Sequence, residues 1–253
     1  MIELTPVFIA LLLVTGLIAG VINTLAGGGS NLTLPALMVM GLPADVANAT
    51  NRVGVFFQCL VGLKGFDRHG KLERTDIKGI LIPTLAGGLV GALFASFLPV
   101  WLLKPVLLGT MVTMALLILL RPSAVMPAEE EMAGKVSGNP KAWGALLLAG
   151  FYGGFVQAGV GFVLIAALAG VLRYDLVRAN ALKLLCSAAF TAVALGIFIW
   201  QGQVAWVPGL VLAVGTMVGA RLGVGMAMKV SQKTLKWFLF VMTLCASVAA
   251  LLF

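Results

Sequence analysis

Neutral polar side chains gather around two glycine-rich interruptions of apolar sequence, and these are the residues best suited to chemistry. The first interruption covers residues 26–31 (AGGGSN), and the second covers residues 153–161 (GGFVQAGVG). A glycine break frees backbone N–H groups, and the helix that resumes after it points its positive end at the break. Each interruption therefore predicts a binding site for a small anion, built from dipoles and neutral donors.

The predicted site combines the polar and glycine residues of both breaks with the two Ala-Asn-Ala stretches that follow them. Its members are Asn23, Thr24, Gly27, Gly28, Gly29, Ser30, Asn31, Asn48, Thr50, Asn51, Arg52, Gln157, Gly159, Gly161, Asn180 and Lys183. A charge at membrane depth costs roughly 3 kcal/mol, which suggests that Arg52 and Lys183 have a function. Two alternatives stay open. The long side chains of Arg52 and Lys183 would extend to head groups. In the second alternative, the glycines allow helices to cross closely, and the Asn and Thr side chains form hydrogen bonds with the backbone groups that the breaks leave free.

Composition limits the classes of protein to which the chain can belong. Of 253 residues, 61% are hydrophobic and 10% are charged, and 17 Lys and Arg stand against 9 Asp and Glu. Soluble domains have about 45–50% apolar and about 25% charged residues. These figures exclude an ordinary soluble protein, a disordered chain and a nucleic-acid binder. We predict neither a cofactor nor a metal, because the sequence contains no acidic metal cluster, Ser/His pair or phosphate-binding loop.

Hydropathy predicts an all-α polytopic membrane protein with about eight hydrophobic segments. The apolar blocks are roughly 5–42, 47–63, 79–98, 101–120, 142–172, 179–200, 204–227 and 237–253. The first and fifth blocks are too long for one ordinary span. If each of these two blocks crosses the membrane once, eight of the fourteen basic residues in loops and at block edges lie on one side of the membrane and six on the other. If each block is a helical hairpin, thirteen lie on one side and one on the other. Because basic residues concentrate in cytoplasmic loops, we predict hairpins.

The two halves of the chain resemble each other in sequence. The motif G-V-I-N at 20–23 corresponds to G-F-V-Q at 154–157, and A-N-A recurs at 47–49 and 179–181. We predict two repeats, 1–125 and 126–253, each a hairpin followed by three transmembrane helices. An odd number of crossings per repeat makes the repeats inverted, as in many secondary transporters. Both termini are then predicted to be periplasmic, with loop 64–78 in the cytoplasm.

Several other residues are assigned structural roles from the sequence. Asp45 and Asp175 each precede a predicted helix and are expected to be N-caps. The G-x-x-x-G motifs at 87–91 and 215–219 predict packing seams within one chain, with dimerisation as the alternative. His69 is expected in a solvated loop. The cysteines are expected to be buried side chains. Gln58 and Thr191 are expected to be structural.

A pattern in the first half of the chain resembles the TauE/SafE family of sulfite exporters. It runs from Ala19-Gly20 and Asn23 through the glycine triplet and Pro35 to Ala49-Thr50-Asn51-Arg52. The resemblance covers essentially the whole chain, although the second glycine site is thinner, with Gly159-Val160-Gly161 in place of a triplet. It implies a permease of bacterial inner membranes for sulfite, sulfonates or related organic acid anions.

The combined hypothesis is a secondary transporter that binds a small anion near the midplane and works by alternating access. All nine acidic residues lie in loops or at block edges, which disfavours a cation pump. The expected partners are the anion and the lipid bilayer, with no nucleic acid and a possible homodimer. The alternatives are an intramembrane enzyme or lipid-handling protein, and a membrane scaffold that transports nothing. Neither a nucleophile with a base nor a metal cluster supports an enzyme, so we predict none.

Overall fold

The computed structural model describes residues 5–120 and 134–229, and the described chain is helical apart from its turns and loops. Its helices are α1 (Pro6–Leu25), α2 (Ser30–Val39), α3 (Ala44–Arg68), α4 (Ile77–Phe97), α5 (Val100–Leu120), α6 (Pro140–Phe155), α7 (Val160–Ile165) with a π-helical turn (Ala166–Val171), α8 (Leu176–Trp200) and α9 (Trp206–Lys229). Four described helices, α1, α4, α8 and α9, are long and apolar enough to cross a membrane. The last predicted block, 237–253, and the repeat boundary at 125/126 lie outside the described residues.

The first long apolar block folds as a helical hairpin. At 1.5 Å per residue, the 20 residues of α1 extend about 30 Å and the 10 residues of α2 about 15 Å. The start of α2 lies against α1, because a Cβ at Gly29 would overlap the carbonyl oxygen of Ala19. Further along, Phe8 and Met38 pack against the same apolar cluster. The chain thus returns along α1 towards the side from which it came.

The second long block also returns to its starting side. Its outgoing arm is α6, and its returning arm is α7 with the π-helical turn. The N–H of Gly134, before the hairpin, donates to the carbonyl oxygen of Leu172, after it, at 2.8 Å. A single crossing would separate these two residues by the thickness of the membrane. The hairpin that the distribution of basic residues predicts is therefore present.

The basic loops meet at one end of the bundle. The Val136 N–H donates to Asp76 Oδ2 at 2.6 Å, and the Arg178 guanidinium lies 3.6 Å from the Glu73 carboxylate. These contacts join the loop before α4, the segment before α6 and the loop before α8. The grouping agrees with the thirteen-to-one distribution and not with the eight-to-six alternative.

Each hairpin packs on a long helix from the other half of the chain. α1 lies against α9, and α6 lies against α4. Glycines permit both approaches, since a Cβ at Gly91 would overlap the backbone of α6 and a Cβ at Gly219 would overlap the backbone of α1. The predicted seams within one chain are confirmed. These glycines are buried inside the chain and are not available for dimerisation.

The structure corrects one of the predicted helix caps. Asp175 is the N-cap of α8, and its Oδ1 accepts from the N–H groups of Val177 and Arg178 at 3.0 Å. The prediction for Asp45 is wrong, because the N-cap of α3 is Pro43, two residues earlier, and the helix begins at Ala44. Pro43 has an extended backbone, with ψ of 152°, as an N-cap residue requires, and Asp45 falls in the first turn.

Candidate functional site

Residues with left-handed backbone angles form both breaks. Gly27 has φ of 101°, and the second break contains Gly159 at 73° and Gln157 at 65°. Glycine adopts such angles freely, whereas an L side chain pays roughly 1–2 kcal/mol. Strain of this kind at Gln157 is typical of a functional position.

The two breaks touch each other at the centre of the molecule. A Cβ at Gly27 would overlap the backbone of Gly161, and a Cβ at Gly161 would overlap the backbone of Gly27. Next to this contact, the ring of Phe162 closes over Gly28. The predicted anion site combines residues of both breaks, and in this conformation the two breaks are in direct contact at Gly27 and Gly161.

Lys183 caps the broken end of α1. Its Nζ donates to the carbonyl oxygens of Asn23 at 2.8 Å and Thr24 at 3.1 Å. A third donation goes to Oδ1 of Asn180, one turn earlier on α8, at 2.6 Å. The C-terminal carbonyls of a helix carry partial negative charge and lack intrahelical partners, so an ammonium group stabilises them.

Arg52 performs the same role at the broken end of α6. Its Nη1 donates to the Gly153 carbonyl oxygen at 2.9 Å, and its Nη2 donates to that of Gly154 at 2.6 Å. The guanidinium carbon lies 4.9 Å from the centre of the Phe198 ring. Asn48, one turn earlier on α3, adds a bond from Nδ2 to the Phe155 carbonyl oxygen at 3.1 Å.

The two caps are reciprocal. Arg52, in the first half of the chain, holds the hairpin of the second half, and Lys183, in the second half, holds the hairpin of the first. Arg52 is 0% exposed and Lys183 is 1% exposed, so the alternative that they extend to head groups is wrong. Sequence position indicated that both residues enter the membrane, but only the fold identifies the carbonyls that receive them.

Two residues that we expected to be structural belong to the polar cluster at the breaks. Asn23 Nδ2 donates to Oε1 of Gln58 at 3.0 Å, and Gln157 Nε2 donates to Oγ1 of Thr191 at 3.0 Å. Asn23 and Gln157 occupy matching repeat positions, and their partners lie on α3 and α8. That correspondence is the signal that could have identified Gln58 and Thr191.

Other predicted site residues position the helices. Asn51 Nδ2 donates to Ser30 Oγ at 3.1 Å, and the Thr33 hydroxyl donates to Asn51 Oδ1 at 2.5 Å, which ties α3 to α2. The Thr24 hydroxyl bonds within its own helix, to the Gly20 carbonyl. The hydroxyl oxygen of Thr50 accepts from the Ala205 N–H at 3.0 Å, just before α9. The hydroxyl groups of Thr24 and Thr50 are therefore already used away from the breaks.

A group of buried polar atoms around the breaks has no hydrogen-bond partner within residues 5–120 and 134–229. They are Asn31 Oδ1, Asn48 Oδ1, Arg52 Nε, Gln58 Nε2, Gln157 Oε1 and Asn180 Nδ2. Buried polar atoms are normally paired, and an unpaired one costs about 1–3 kcal/mol. All six belong to residues that surround the two breaks or bond to them. Their concentration marks this region as the candidate ligand site.

The buried interior of the described chain carries positive charge without a matching acid. Its buried charged residues are Arg52 and Lys183, and none of the described Asp and Glu residues is buried. In addition, no side chain in this part of the chain caps the N-terminus of α2, whose positive end faces the first break. The region is suited to a negatively charged ligand.

Comparison with known proteins agrees with this architecture. The family model for "Sulfite exporter TauE/SafE" matches residues 12–250. The chain belongs to the TauE/SafE family. Among the relatives of this TauE/SafE chain, the probable membrane transporter protein YfcA of Escherichia coli K12 is 30% identical over 92% of the chain and 85% of its own length.

Other relatives come from different bacteria. The probable membrane transporter protein ORF9 of a Sinorhizobium species is 26% identical, over 96% of the TauE/SafE chain and 92% of its own length. A probable membrane transporter protein of Haemophilus influenzae is 27% identical, over 93% and 91% respectively. No solved structure matches the chain significantly. Family membership and the apolar helices identify a multi-pass membrane transporter.

Proposed function

We propose that the chain transports small anions by alternating access around the two breaks. The observation that carries this proposal is the charge balance of the described interior, in which Arg52 and Lys183 are buried and no carboxylate is. Their partners are helix carbonyls and one side-chain amide, which hold at most partial negative charge. A bound anion would supply the missing full negative charge.

The unpartnered atoms suit an oxyanion in particular. Gln58 Nε2, Asn180 Nδ2 and Arg52 Nε are donors without acceptors in the described chain. Sulfite, sulfonate and carboxylate groups present several acceptor oxygens, so they can accept hydrogen bonds from such donors. The unpartnered amide oxygens of Asn31 and Gln157 would accept a hydrogen bond from a protonated substrate such as hydrogen sulfite.

The substrate class follows from this chemistry and from the family. We assign sulfite, sulfonates or related organosulfur and organic acid anions, because the family model that matches is that of a sulfite exporter. A proton carried on the substrate would make a protein carboxylate unnecessary for proton coupling. The relatives are bacterial, and we assign the chain to a bacterial inner membrane.

The proposed movement begins at the contact between Gly27 and Gly161. Access to the polar atoms requires these tips to separate, and each hairpin is attached to the opposite half by a buried cation. Movement of repeat 1–125 against repeat 126–253 would therefore pull on both caps at once. By the distribution of basic residues, the loop 64–78 faces the cytoplasm and both termini face the periplasm.

The test is anion flux in proteoliposomes containing the purified protein. Sulfite, an alkyl sulfonate, sulfate and a small carboxylate would be compared, with thermal shift of the detergent-solubilised protein as the binding measurement. Asn31→Ala is expected to reduce flux and anion-dependent stabilisation. Thr84→Val is the matched control, because Thr84 is equally buried but its hydroxyl bonds to the Ile80 carbonyl of its own helix. Absence of anion flux with turnover of a lipid or peptide would overturn the proposal in favour of an enzyme.

A further inference from the structure

A groove lies between the N-terminal ends of α4 and α6, away from the two breaks. It encloses about 410 Å³ and is lined by Gly79 and Ile82 of α4, by residues 136–140 before and at the start of α6, and by Trp143. This is the end of the bundle where the basic loops meet. The groove also joins α4 to the segment that enters the second hairpin.

The side of the groove exposes large apolar side chains. Ile82 of α4 is 62% exposed and Trp143 of α6 is 45% exposed, and both helices are apolar beyond their first-turn lysines. Large exposed apolar side chains on such helices contact lipid, and tryptophan is enriched where the hydrocarbon meets the head groups. An acyl chain is therefore the natural occupant of the apolar part of the groove.

The rim of the groove is positively charged. Lys78, Lys135 and Lys141 are exposed and are the immediate sequence neighbours of lining residues. The N-cap of α4 is Asp76, whereas α6 has the neutral N-cap Asn139 and no acidic residue in its first turn, so the positive end of α6 adds to the lysines. A lysine in the first turn of a helix lies next to the positive end of the helix dipole, which repels it. A bound anion at this rim would therefore be stabilised by both.

The described carboxylates do not balance the positive charge of this rim. Asp76 stands beside Gly79, but its Oδ2 accepts the Val136 N–H, and it is one negative charge against three positive ones. Ion pairs of the described chain join Arg74 to Asp67 and Arg178 to Glu73 and Asp175, and none of these involves the rim lysines.

We propose that this α4–α6 groove binds an anionic phospholipid. One acyl chain lies against Ile82 and Trp143, and the head-group phosphate lies among Lys78, Lys135 and Lys141. Basic clusters at the cytoplasmic end of membrane helices bind anionic lipids in this way. The lipid would link α4 of the first half to the entry of the second hairpin. This inference is independent of the transported substrate.

The test compares lipids on the delipidated, detergent-solubilised protein. Phosphatidylglycerol is expected to raise the melting temperature more than phosphatidylcholine does. The triple variant Lys78→Gln/Lys135→Gln/Lys141→Gln is expected to weaken the Kd for phosphatidylglycerol by about 200-fold, from about a sixfold contribution per lysine. The matched control Lys64→Gln/Lys71→Gln/Lys229→Gln removes the same charge from exposed lysines that do not adjoin the groove.

A second measurement reports on the acyl chain. Brominated phosphatidylglycerol should quench the tryptophan fluorescence of the wild-type protein more than that of Trp143→Phe, and the difference should disappear in the triple variant. Three outcomes would overturn the proposal: equal stabilisation by phosphatidylcholine, equal loss in the control variant, or full stabilisation by glycerol phosphate alone. The last would indicate a site for a free phosphate.

Discussion

The contact between the two breaks can be tested with three glycine-to-alanine substitutions that separate backbone strain from steric overlap. Gly27→Ala introduces both, because Gly27 has a positive φ and a Cβ there would meet the Gly161 backbone. Gly161→Ala introduces only the overlap, since its φ is not positive. Gly41→Ala introduces only the strain, since Gly41 has φ of 90° and a Cβ there would meet nothing within 4 Å.

The expected losses in unfolding free energy follow from these differences. Left-handed φ costs an alanine roughly 1–2 kcal/mol, so Gly41→Ala should lose about that much. Adding a methyl group to a tightly packed contact costs about 1–3 kcal/mol, which is the expectation for Gly161→Ala. Gly27→Ala should combine both costs, at about 2–5 kcal/mol. The double variant Gly27→Ala/Gly161→Ala should lose less than the sum, because one displacement of the tips accommodates both methyl groups.

The assay is reversible unfolding in mixed micelles, accompanied by anion flux in proteoliposomes. Flux should fall in Gly27→Ala and Gly161→Ala and stay near the wild-type value in Gly41→Ala. If Gly27→Ala is no less stable than Gly41→Ala, or if the losses of Gly27→Ala and Gly161→Ala are strictly additive, the breaks do not touch.

Three further outcomes are expected. Arg52→Met and Lys183→Met should each destabilise the protein by about 3 kcal/mol in the same unfolding assay, because each removes two charge-assisted hydrogen bonds to buried carbonyl oxygens. Stability equal to that of the wild type would mean that the caps do not form. Gln58→Leu should lose about 1 kcal/mol but weaken anion binding about tenfold in a thermal-shift titration, and unchanged affinity would remove Gln58 from the site. Hydrogen bonds from Thr75 hold the pKa of Glu73 below its usual 4.5. The resulting stability is present above the unfolded pKa and is lost as pH falls through the lowered folded value, by a few tenths of a kcal/mol at this partly exposed site. Thr75→Val should reduce this loss when unfolding is followed from about pH 6 to about pH 3, because the hydroxyl bond is removed while the backbone N–H groups of residues 74 and 75 still donate to Glu73. An unchanged pH profile would contradict the assignment.

The helical hairpins could be predicted because their evidence is local and statistical. Block length showed that 142–172 exceeds one span, and the distribution of lysine and arginine selected a hairpin. The bond from Gly134 to Leu172 bears this out. The start of α3 could not be placed from Asp45 alone, because the extended Pro43 takes the N-cap position two residues earlier.

The polar cluster was only partly predictable for a different reason. Asn23 and Gln157 stood next to glycine breaks and were recognisable, whereas Gln58 and Thr191 are single polar residues far along other helices. Nothing within one helix distinguishes a polar residue that meets a break from one that bonds to its own backbone. Thr24 lies beside a break in the sequence, yet its hydroxyl bonds to its own helix.

Composition, block length and charge distribution alone determined that this chain is a polytopic helical membrane protein with two broken hairpins, because these properties depend on transfer to lipid and on local backbone freedom. Tertiary structure alone decided that the breaks touch and that Arg52 and Lys183 each cap the hairpin of the opposite half. These bonds join residues more than 100 positions apart. Such pairings depend on how the helices cross, which no local pattern of residues specifies.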